Sequence, residues 1–322
     1  MSTDLSIIIV NWNGGELLRR CVETIIASEP NVSFEIVVVD NASADDSLAR
    51  LQASEAGVRL LSRRQLRIFN NVENRGFGAA NNQGFALTDS PFVFLLNLDT
   101  EVHPGTIDTL MRSMLADAKT GACGPKILNP DGSLQISAYF NPPRVWHTFM
   151  SQLKLYHLLP QSLRGELLLG RHWDHNRQRT VPMLSGAAIM ARRQMIKEVG
   201  GFDERFHMYS EDNEWCWRIT KTAWKLLFVP EAVVLHHGGQ SSKKRWSPDE
   251  KLRIKLEAGF CFENLALPRW QLTANQLANY LVVSAQIAGR SMRGIHVPEL
   301  QLVKEMHRTH LKRSLKNHRE RH

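Results

Sequence analysis

Apolar residues in the first 120 positions come in short β-prone runs that alternate with segments of helical spacing. Leu5–Val10 reads as a strand and breaks at Gly14-Gly15. Glu16–Ala27 then sets Leu17, Leu18, Cys21, Ile25 and Ile26 at the period of a helix. Phe34–Val39 is the next strand, followed by a helix over Asp45–Ala53 and a short strand at Arg67–Asn70. A helix over Gly76–Leu87 and a strand over Phe92–Leu98 complete the series. Such alternation predicts an α/β fold with a mostly parallel sheet and right-handed crossovers. Three strands stop on polar residues: Asn11-Trp12-Asn13, Asp40-Asn41, and Asn97 with Asp99. In parallel strands these ends share one edge, and the carboxyl edge of an open α/β sheet is where ligands bind.

Beyond position 120 the pattern loosens. Asn129-Pro130-Asp131-Gly132 predicts a turn between two short strands. Residues 140–180, rich in Pro, Trp, His and Arg and without a clean period, read as substrate-facing loops or an insertion. Core-like sequence returns at Val181–Met190, with a helix to Val199 that Gly200-Gly201 breaks. Tyr209–Arg218 opens another helix, and Leu226–Pro230 and Ala232–Leu235 read as two strands ending on His236-His237-Gly238-Gly239.

The 322 residues suffice for one large domain or two small ones. Cys21, Cys123, Cys216 and Cys261 are scattered, with no C-x-x-C spacing. That argues against a zinc site or a disulfide framework and suits a reducing compartment. The chain reaches an apolar strand by Leu5 with no basic start, unlike a signal peptide, and no apolar run approaches the roughly 20 residues that span a bilayer. The net charge of +8 is unevenly placed. Residues 243–322 hold 16 Lys/Arg against 7 Asp/Glu, or +9, while residues 1–242 hold 24 against 25, or −1.

Three constellations could carry chemistry. Phe92–Leu98 is an apolar run that stops on Asn97, Asp99 and Glu101. A carboxylate at such a strand end can hold a divalent cation, and the cation a diphosphate; the alternative is that Asp99 or Thr100 caps a following helix. Glu211-Asp212 precedes an apolar helical run, which suits either a helix start favoured by the dipole or a general base. His236 follows a strand, where imidazole is either a hydrogen-bonded structural group or a metal ligand. Neither G-x-G-x-x-G nor a P-loop signature occurs, so a phosphate ligand would be held by metal and side chains.

Taken in order, several segments resemble glycosyltransferase family 2 with the GT-A fold, and within it the rhamnosyltransferase-like branch. They are Ile7–Asn13, Val37–Ser43, Asn74–Asn82, Leu95–Thr100, Gly124–Gly132, Ser185–Ala187, Gly200–Glu204 and Glu211–Arg218. The match spans roughly residues 4–242 and is specific as a set. The resemblance implies an inverting, metal-dependent transferase using Mn²⁺ or Mg²⁺. By position, Val10, Trp12, Asp40 and Asn41 would line the nucleobase pocket, with Arg75 and Asn81 along the donor site. Asn97 and Asp99 stand at the D-x-D positions, with Asp99 as metal ligand and Asn97 on the nucleotide side. His236 would contact metal or diphosphate, Asp212 with Glu211 beside it would be the base, and Gly201, Phe202 and Asp203 would border the acceptor. Asn41 and Asn97 replace acids found in many members; both asparagines are usual in the rhamnosyltransferase-like branch.

On this basis residues 1–242 form a GT-A domain, with a nucleotide-binding half to about 120 and an acceptor and catalytic half from 121. Residues 243–322 form a basic helical extension. Lys243-Lys244-Arg245-Trp246 is either a loop over the diphosphate or a solvated linker. Leu277, Tyr280, Leu281, Ile287 and Ala288 fit one helix face, and Leu300, Val303, His307 and Leu311 another. These helices either pack on the core or lie on an anionic membrane surface with Trp270 as an anchor. No nucleic-acid motif accompanies the charge, so nucleic acid is not an expected partner. The expected partners are a dTDP- or UDP-sugar donor and a glycan or lipid-linked glycan acceptor. The expected location is the cytoplasm, with peripheral attachment at the inner face of the cell membrane. The leading expectation is transfer of rhamnose from dTDP-rhamnose. The same fold using a UDP-sugar and a non-catalytic membrane-associated scaffold stand as alternatives.

Overall fold

Three buried strands set the frame, because their side chains have no other place out of water. In β1 (Leu5–Asn11) every residue is buried, and β2 (Phe34–Asp40) and β4 (Phe92–Asn97) are nearly as enclosed. A strand enclosed on both faces reads as a continuous apolar run, which is the pattern these three carry. In the computed structural model, which describes residues 3–140, 142, 144–239, 245–293 and 295–319, β1 runs parallel to both neighbours. β3 (Leu66–Asn70) adds to β2, also in parallel. The register aligns Asn11 with Asp40, Asp40 with Asn70, and Val10 with Asn97. The polar strand ends therefore share one edge, as the sequence pattern predicts.

The second half completes a ten-stranded sheet of order β3-β2-β1-β4-β9-β6-β10-β5. Here β5 is Thr100–Val102, β6 Thr120–Leu128, β9 Ala188–Arg192 and β10 Lys225–His236. β7 (Leu134–Gln135) pairs with β6 across the Asn129–Gly132 turn, and β8 (Arg179–Thr180) pairs with β10. β6 and β10 are parallel, whereas β9 lies antiparallel between β4 and β6. The two strands expected over 226–235 are one. Their ladder shifts register between Val229 and Val233, so a bulge around Pro230, which has no N–H to offer, replaces the break. The helix-cap reading of Asp99 and Thr100 is excluded, because β5 follows directly and pairs antiparallel with β10.

The helices cover this sheet. α1 (Glu16–Ala27) buries Leu18, Cys21, Val22 and Ile25 against the β1–β4 face. α2 (Ser47–Ala53) ends at Ser54, whose extended backbone and side-chain cap on Gly57 start α3 (Glu55–Ser62). α4 is Phe77–Ala86, α5 Thr106–Ala116, α8 Arg193–Val199 and α9 Glu211–Thr220.

The chain divides into two compact units, residues 1–139 with 174–245, and residues 140–173 with 246–322. The first holds the sheet and ends close to the expected 242 boundary. Residues 140–173, read from sequence as loops or an insertion of the first domain, belong to the second unit. They contain α6 (Val145–Gln152) and α7 (Gln161–Leu168). That unit also holds α10 (Pro248–Ala266), α11 (Arg269–Ser291) and α12 (Pro298–Arg319). Its interior is partly polar: His310 stacks on Phe260 at 4.2 Å and bonds Glu257 at 2.9 Å, and Gln276 links His307 to Glu263. On α11, Leu277 and Leu281 are exposed, so of the two expected placements this face does not take the one packed on the core. Leu272, Asn275, Gln276, Ala278 and Val283 are buried instead.

α4 reaches β1 closely only because position 84 has no side chain. A Cβ there would lie 2.5 Å from Ile8 Cγ2. Gly84→Ala should lower stability by about 1–3 kcal/mol, the usual cost of overpacking a filled core. In the double variant with Ile8→Ala the two losses should fall short of their sum, since each relieves the other. Denaturant midpoints for the four proteins check this.

Candidate active site

The loops after β1 and β2 are stitched together by short polar side chains, and they form the first wall of the site. Asn11 donates to Asp40 Oδ1 at 2.7 Å, to Ser43 Oγ at 3.0 Å and to Ser47 Oγ at 2.9 Å. Asp40 Oδ2 accepts the Ser43 N–H at 3.0 Å. Asn13 adopts φ 50° and accepts from the Ala44 N–H, while its own N–H donates to Ser43. Val10 is buried behind this wall, and Trp12, half-buried, carries the Arg245 guanidinium 5.4 Å from its ring centroid. Lys243 and Lys244, read as either a loop over the diphosphate or a solvated linker, lie outside the described residues.

Asn41 does different work from that expected of it. Its Oδ1 accepts from Asn71 Nδ2 and the Arg75 N–H, and its Nδ2 donates to Asn74 Oδ1 and the Gly76 carbonyl. A carboxamide has two acceptor and two donor positions, and all four are filled here. Asn41 thus fixes the 70–76 loop, with no lone pair left for a pyrimidine N–H. Asn81 is buried within α4, donating to the Phe77 carbonyl. The Arg75 side chain is part-exposed, 3.9 Å from Glu204. Gly76 has φ 86°, and a Cβ there would meet the His207 carbonyl at 2.6 Å, so the loop needs glycine.

At the end of β4 the chain reverses through Leu98 and Asp99 into β5, which turns Asp99 toward the end of β10. Asp99 Oδ1 lies 3.2 Å from His236 Nε2, and Asn97 Nδ2 lies 3.4 Å from the same nitrogen. Asn97 Oδ1 is buried without a partner. His236 Nδ1 faces Gln135 Oε1 at 2.6 Å. Glu101 points elsewhere, pairing with Arg20 and His237 at 2.8 Å each. Among the described residues no group of three or more His, Cys, Asp or Glu side chains is placed to hold a metal. Of the residues named as metal contacts, Asp99 and His236 are brought together.

The opposite wall is the start of α9. Tyr209 and Ser210 both have φ 67°, a conformation L-residues resist, and strain of this kind gathers at functional sites. It delivers Glu211 and Asp212 at the helix N-terminus. Asp212 Oδ2 accepts the Gly186 N–H at 2.9 Å and Oδ1 the Asn213 N–H at 2.8 Å. A Cβ on Gly186 would crowd Asp212 at 3.1 Å. Burial raises the Asp212 carboxyl above its ordinary range, with the backbone N–H bonds opposing. Glu211 is only 7 % exposed, has a buried Oε2 without a partner, and is pushed up to about 8 by burial and by the charge of Asp212. Burial and the neighbouring carboxyl thus favour the neutral form of Glu211 near neutrality.

The Gly201–Asp203 segment braces this helix. Phe202 is buried, stacked with Phe85 at 6.0 Å and packed on Trp215 at 4.8 Å, and Asn82 clasps its N–H and carbonyl. Arg218 on α9 donates to the Gly201 carbonyl, and Asp203 is paired with Arg205. The polar groups expected to face an acceptor are engaged within the protein. Sequence reasoning missed Gln135, Ser43, Asn82 and Tyr139, whose hydroxyl donates to Asn213 at 3.2 Å. Each acts through a contact between distant segments, which no local pattern announces.

This sheet and its carboxyl-edge cleft define a GT-A glycosyltransferase, and comparison with known proteins agrees. Two solved structures share the fold: GalNAc-T7 with UDP, GalNAc and Mn²⁺ (TM-score 0.58, 17 % identity, 98 % of this chain and 56 % of that one) and the mannosyltransferase PcManGT from Pyrobaculum calidifontis in complex with GDP-Man and Mn²⁺ (0.57, 16 %, 100 % and 89 %). The profile of glycosyl transferase family 2 matches residues 6–200. The N-acetylglucosaminyl-diphospho-decaprenol L-rhamnosyltransferase of Mycobacterium tuberculosis (strain ATCC 25618 / H37Rv) is 30 % identical over 269 residues, 75 % of this chain and 78 % of that protein. The pre-mycofactocin glycosyltransferase of the same strain is 25 % identical over 243 residues, 72 % of this chain and 42 % of that protein. The chain belongs to glycosyl transferase family 2, in its rhamnosyltransferase-like branch, and is a glycosyltransferase.

The Glu211 proton has a consequence for stability. Its folded-state value of about 8 exceeds the unfolded value of 4.5, so the folded protein holds a proton the unfolded chain has lost. The stability contributed by neutral Glu211 is complete below pH 4.5 and disappears as pH rises through about 8. Thermal midpoints of the native protein should decline across that window, and Glu211→Gln should flatten the decline.

Proposed function

We propose that the protein is an inverting, metal-dependent transferase that moves rhamnose from dTDP-rhamnose onto a hydroxyl of a glycan or lipid-linked glycan. The observation that carries the mechanism is the Ser185–Ala187 turn. The Asn97 N–H donates to the Ala187 carbonyl at 2.9 Å, and the adjacent Gly186 N–H donates to Asp212 Oδ2 at 2.9 Å. One turn thus joins the end of β4 to the carboxylate read as the base. The sugar and donor rest on the 30 % identity to the L-rhamnosyltransferase.

Asp99 and His236 suit a divalent cation. Adjacent ligands of an octahedral Mg²⁺ or Mn²⁺ site lie about 3 Å apart, and the two atoms are 3.2 Å apart. Two protein ligands leave positions for diphosphate oxygens. When bound, the cation neutralises charge on the departing diphosphate. Asp212 takes the proton of the acceptor hydroxyl as its oxygen attacks the anomeric carbon and the bond from that carbon to the diphosphate breaks. The N–H donors of Gly186 and Asn213 hold both carboxylate oxygens in place for this. Val10, Trp12 and Asp40 line the nucleobase side, and Arg75 and Arg245 supply cations near the donor.

Asp212→Asn should reduce kcat by about 100- to 10,000-fold, the span of a lost general base, while leaving nucleotide affinity intact. Asp99→Ala should remove the Mn²⁺ dependence of nucleotide binding. Transfer assays with dTDP-rhamnose against UDP-sugars test the donor; faster turnover of a UDP-sugar would move the reading to that nucleotide.

The basic 243–322 segment supports a lipid-linked acceptor. No helix among the described residues is long and apolar enough to cross a membrane. On α11, Trp270 is 69 % exposed, and Leu277 and Leu281 are exposed at spacings that share one face. An apolar stripe on a basic segment suits an anionic lipid surface. Co-sedimentation with vesicles containing phosphatidylglycerol should weaken in Trp270→Ala/Leu281→Ala and with added salt, and absence of binding would remove this part of the reading.

A further inference from the structure

We infer that a one-way chain of hydrogen bonds, running from the Asn129–Gly132 turn through Gln135, fixes the tautomer of His236 and so aims its Nε2 lone pair at Asp99. The inference rests on the reading of Asp99 and His236 as the cation site. Gln135 is then a positioning residue, and the turn gains a role that its place on the far side of β6 does not suggest.

The chain has four links. Ser133 Oγ donates to Asp131 Oδ1 at 2.6 Å, and Asn129 Nδ2 donates to Ser133 Oγ at 2.9 Å. Gln135 Nε2 donates to Asn129 Oδ1 at 2.9 Å, and His236 Nδ1 meets Gln135 Oε1 at 2.6 Å. Direction is set at the far end. Asp131 is held below the usual carboxylate range by the Ser133 hydroxyl and N–H, so it is ionised and can only accept. The Ser133 proton therefore points to Asp131, leaving Ser133 Oγ to accept from Asn129. That turns the Asn129 oxygen toward Gln135, and the Gln135 oxygen toward His236. Reversing any amide propagates back to Ser133 and leaves two oxygens 2.6 Å apart with no hydrogen between them. His236 consequently carries its proton on Nδ1. That leaves Nε2, 3.2 Å from Asp99 Oδ1 and 3.4 Å from the Asn97 amide nitrogen, as the nitrogen able to ligate a cation.

The frame that holds these links is rigid. Asn129 N–H bonds the Ser133 carbonyl at 2.8 Å, and Gly132 N–H bonds the Asn129 carbonyl at 2.9 Å. Gly132 has φ 79°, which closes the turn, and the β6–β7 register sets Gln135 opposite Ile127. A hydrogen bond to the remote nitrogen orients a ligating imidazole and raises its basicity, and losing it typically costs about 10- to 100-fold in metal affinity.

Two measurements on the full chain test this. Long-range ¹H–¹⁵N NMR of ¹⁵N-histidine protein without metal, with His236 assigned by its loss in His236→Gln, should show the Nδ1–H tautomer. Gln135→Leu and Ser133→Ala should each introduce the Nε2–H form, with melting curves confirming that both variants fold. Mn²⁺ titration followed by EPR, with dTDP or UDP present, should weaken about 10- to 100-fold in Gln135→Leu. Gln135→Glu, whose carboxylate still accepts from Nδ1–H, should recover most of it; a merely structural role for Gln135 predicts no such recovery. An Nε2–H tautomer in the native protein overturns the inference, as does Mn²⁺ affinity unmoved by Gln135→Leu. Absence of Mn²⁺ binding in the native protein, with the Nδ1–H tautomer present, overturns the cation reading instead.

Discussion

Two backbone hydrogen bonds on the Ser185–Ala187 turn hold the site together, one from Asn97 to Ala187 and one from Gly186 to Asp212. Neither Asp99 nor Asp212 could be placed by its own element alone. Asp99 sits on a two-residue reversal between β4 and β5, and Asp212 begins a helix entered through two left-handed residues. The turn is what converts two locally awkward positions into one geometry. A Cβ at Gly186 would press on Asp212 at 3.1 Å, so a side chain there would have to shift the carboxylate by a few tenths of an ångström. Loops held on a rigid sheet are where chemistry is usually placed, and here the loop is itself held at both ends.

The bracing spreads outward from α9. Arg218 grips the Val199 and Gly201 carbonyls, Trp215 donates to the Gly200 carbonyl, and Asn82 ties Phe202 to α4. Since α4 also carries Gly84 against Ile8 of β1, the donor wall and the α9 wall share a single packed support. Displacing the 199–204 segment would move Asp212 without touching any ligand. The aromatic cluster of Phe85, Phe202 and Trp215 resists that displacement through buried contact area.

Much of the frame was legible in the sequence because burial on both faces forces a continuous apolar run, as in Ile7–Val10, Ile36–Val39 and Phe92–Leu96. Parallel register then follows from helical crossovers, and the polar strand ends follow from the register. Asp99 stood out because polar residues interrupt such a run, and Asp212 because a carboxylate pair precedes an apolar helical run in a segment that resembles the family. The roles of Asn41, Phe202 and Asn81 were not legible. Each belongs to a recognisable segment, yet its partners (Asn71 and Arg75 for Asn41, Asn82 for Phe202) depend on how loops fold back. Gln135 was invisible for the same reason, being one polar residue on a two-residue strand. The single strand β10 hid behind Pro230, whose missing N–H looks like a stop until a bulge absorbs it.

The two walls hold their acids differently. In the proposed reaction a nucleotide diphosphate would bring several negative charges to the strand edge. There Asp99 stands among the amides of Asn41 and Asn97 and the imidazole of His236, while Asp40 is bonded to Asn11 and Ser43. An acid at position 97 would set a second negative charge within reach of the nitrogen that Asp99 already faces, repelling the incoming phosphates. The amide avoids that and lies 3.4 Å from His236 Nε2. On the other wall two carboxyls lie buried side by side; burial raises both, and the charge of Asp212 raises Glu211 further.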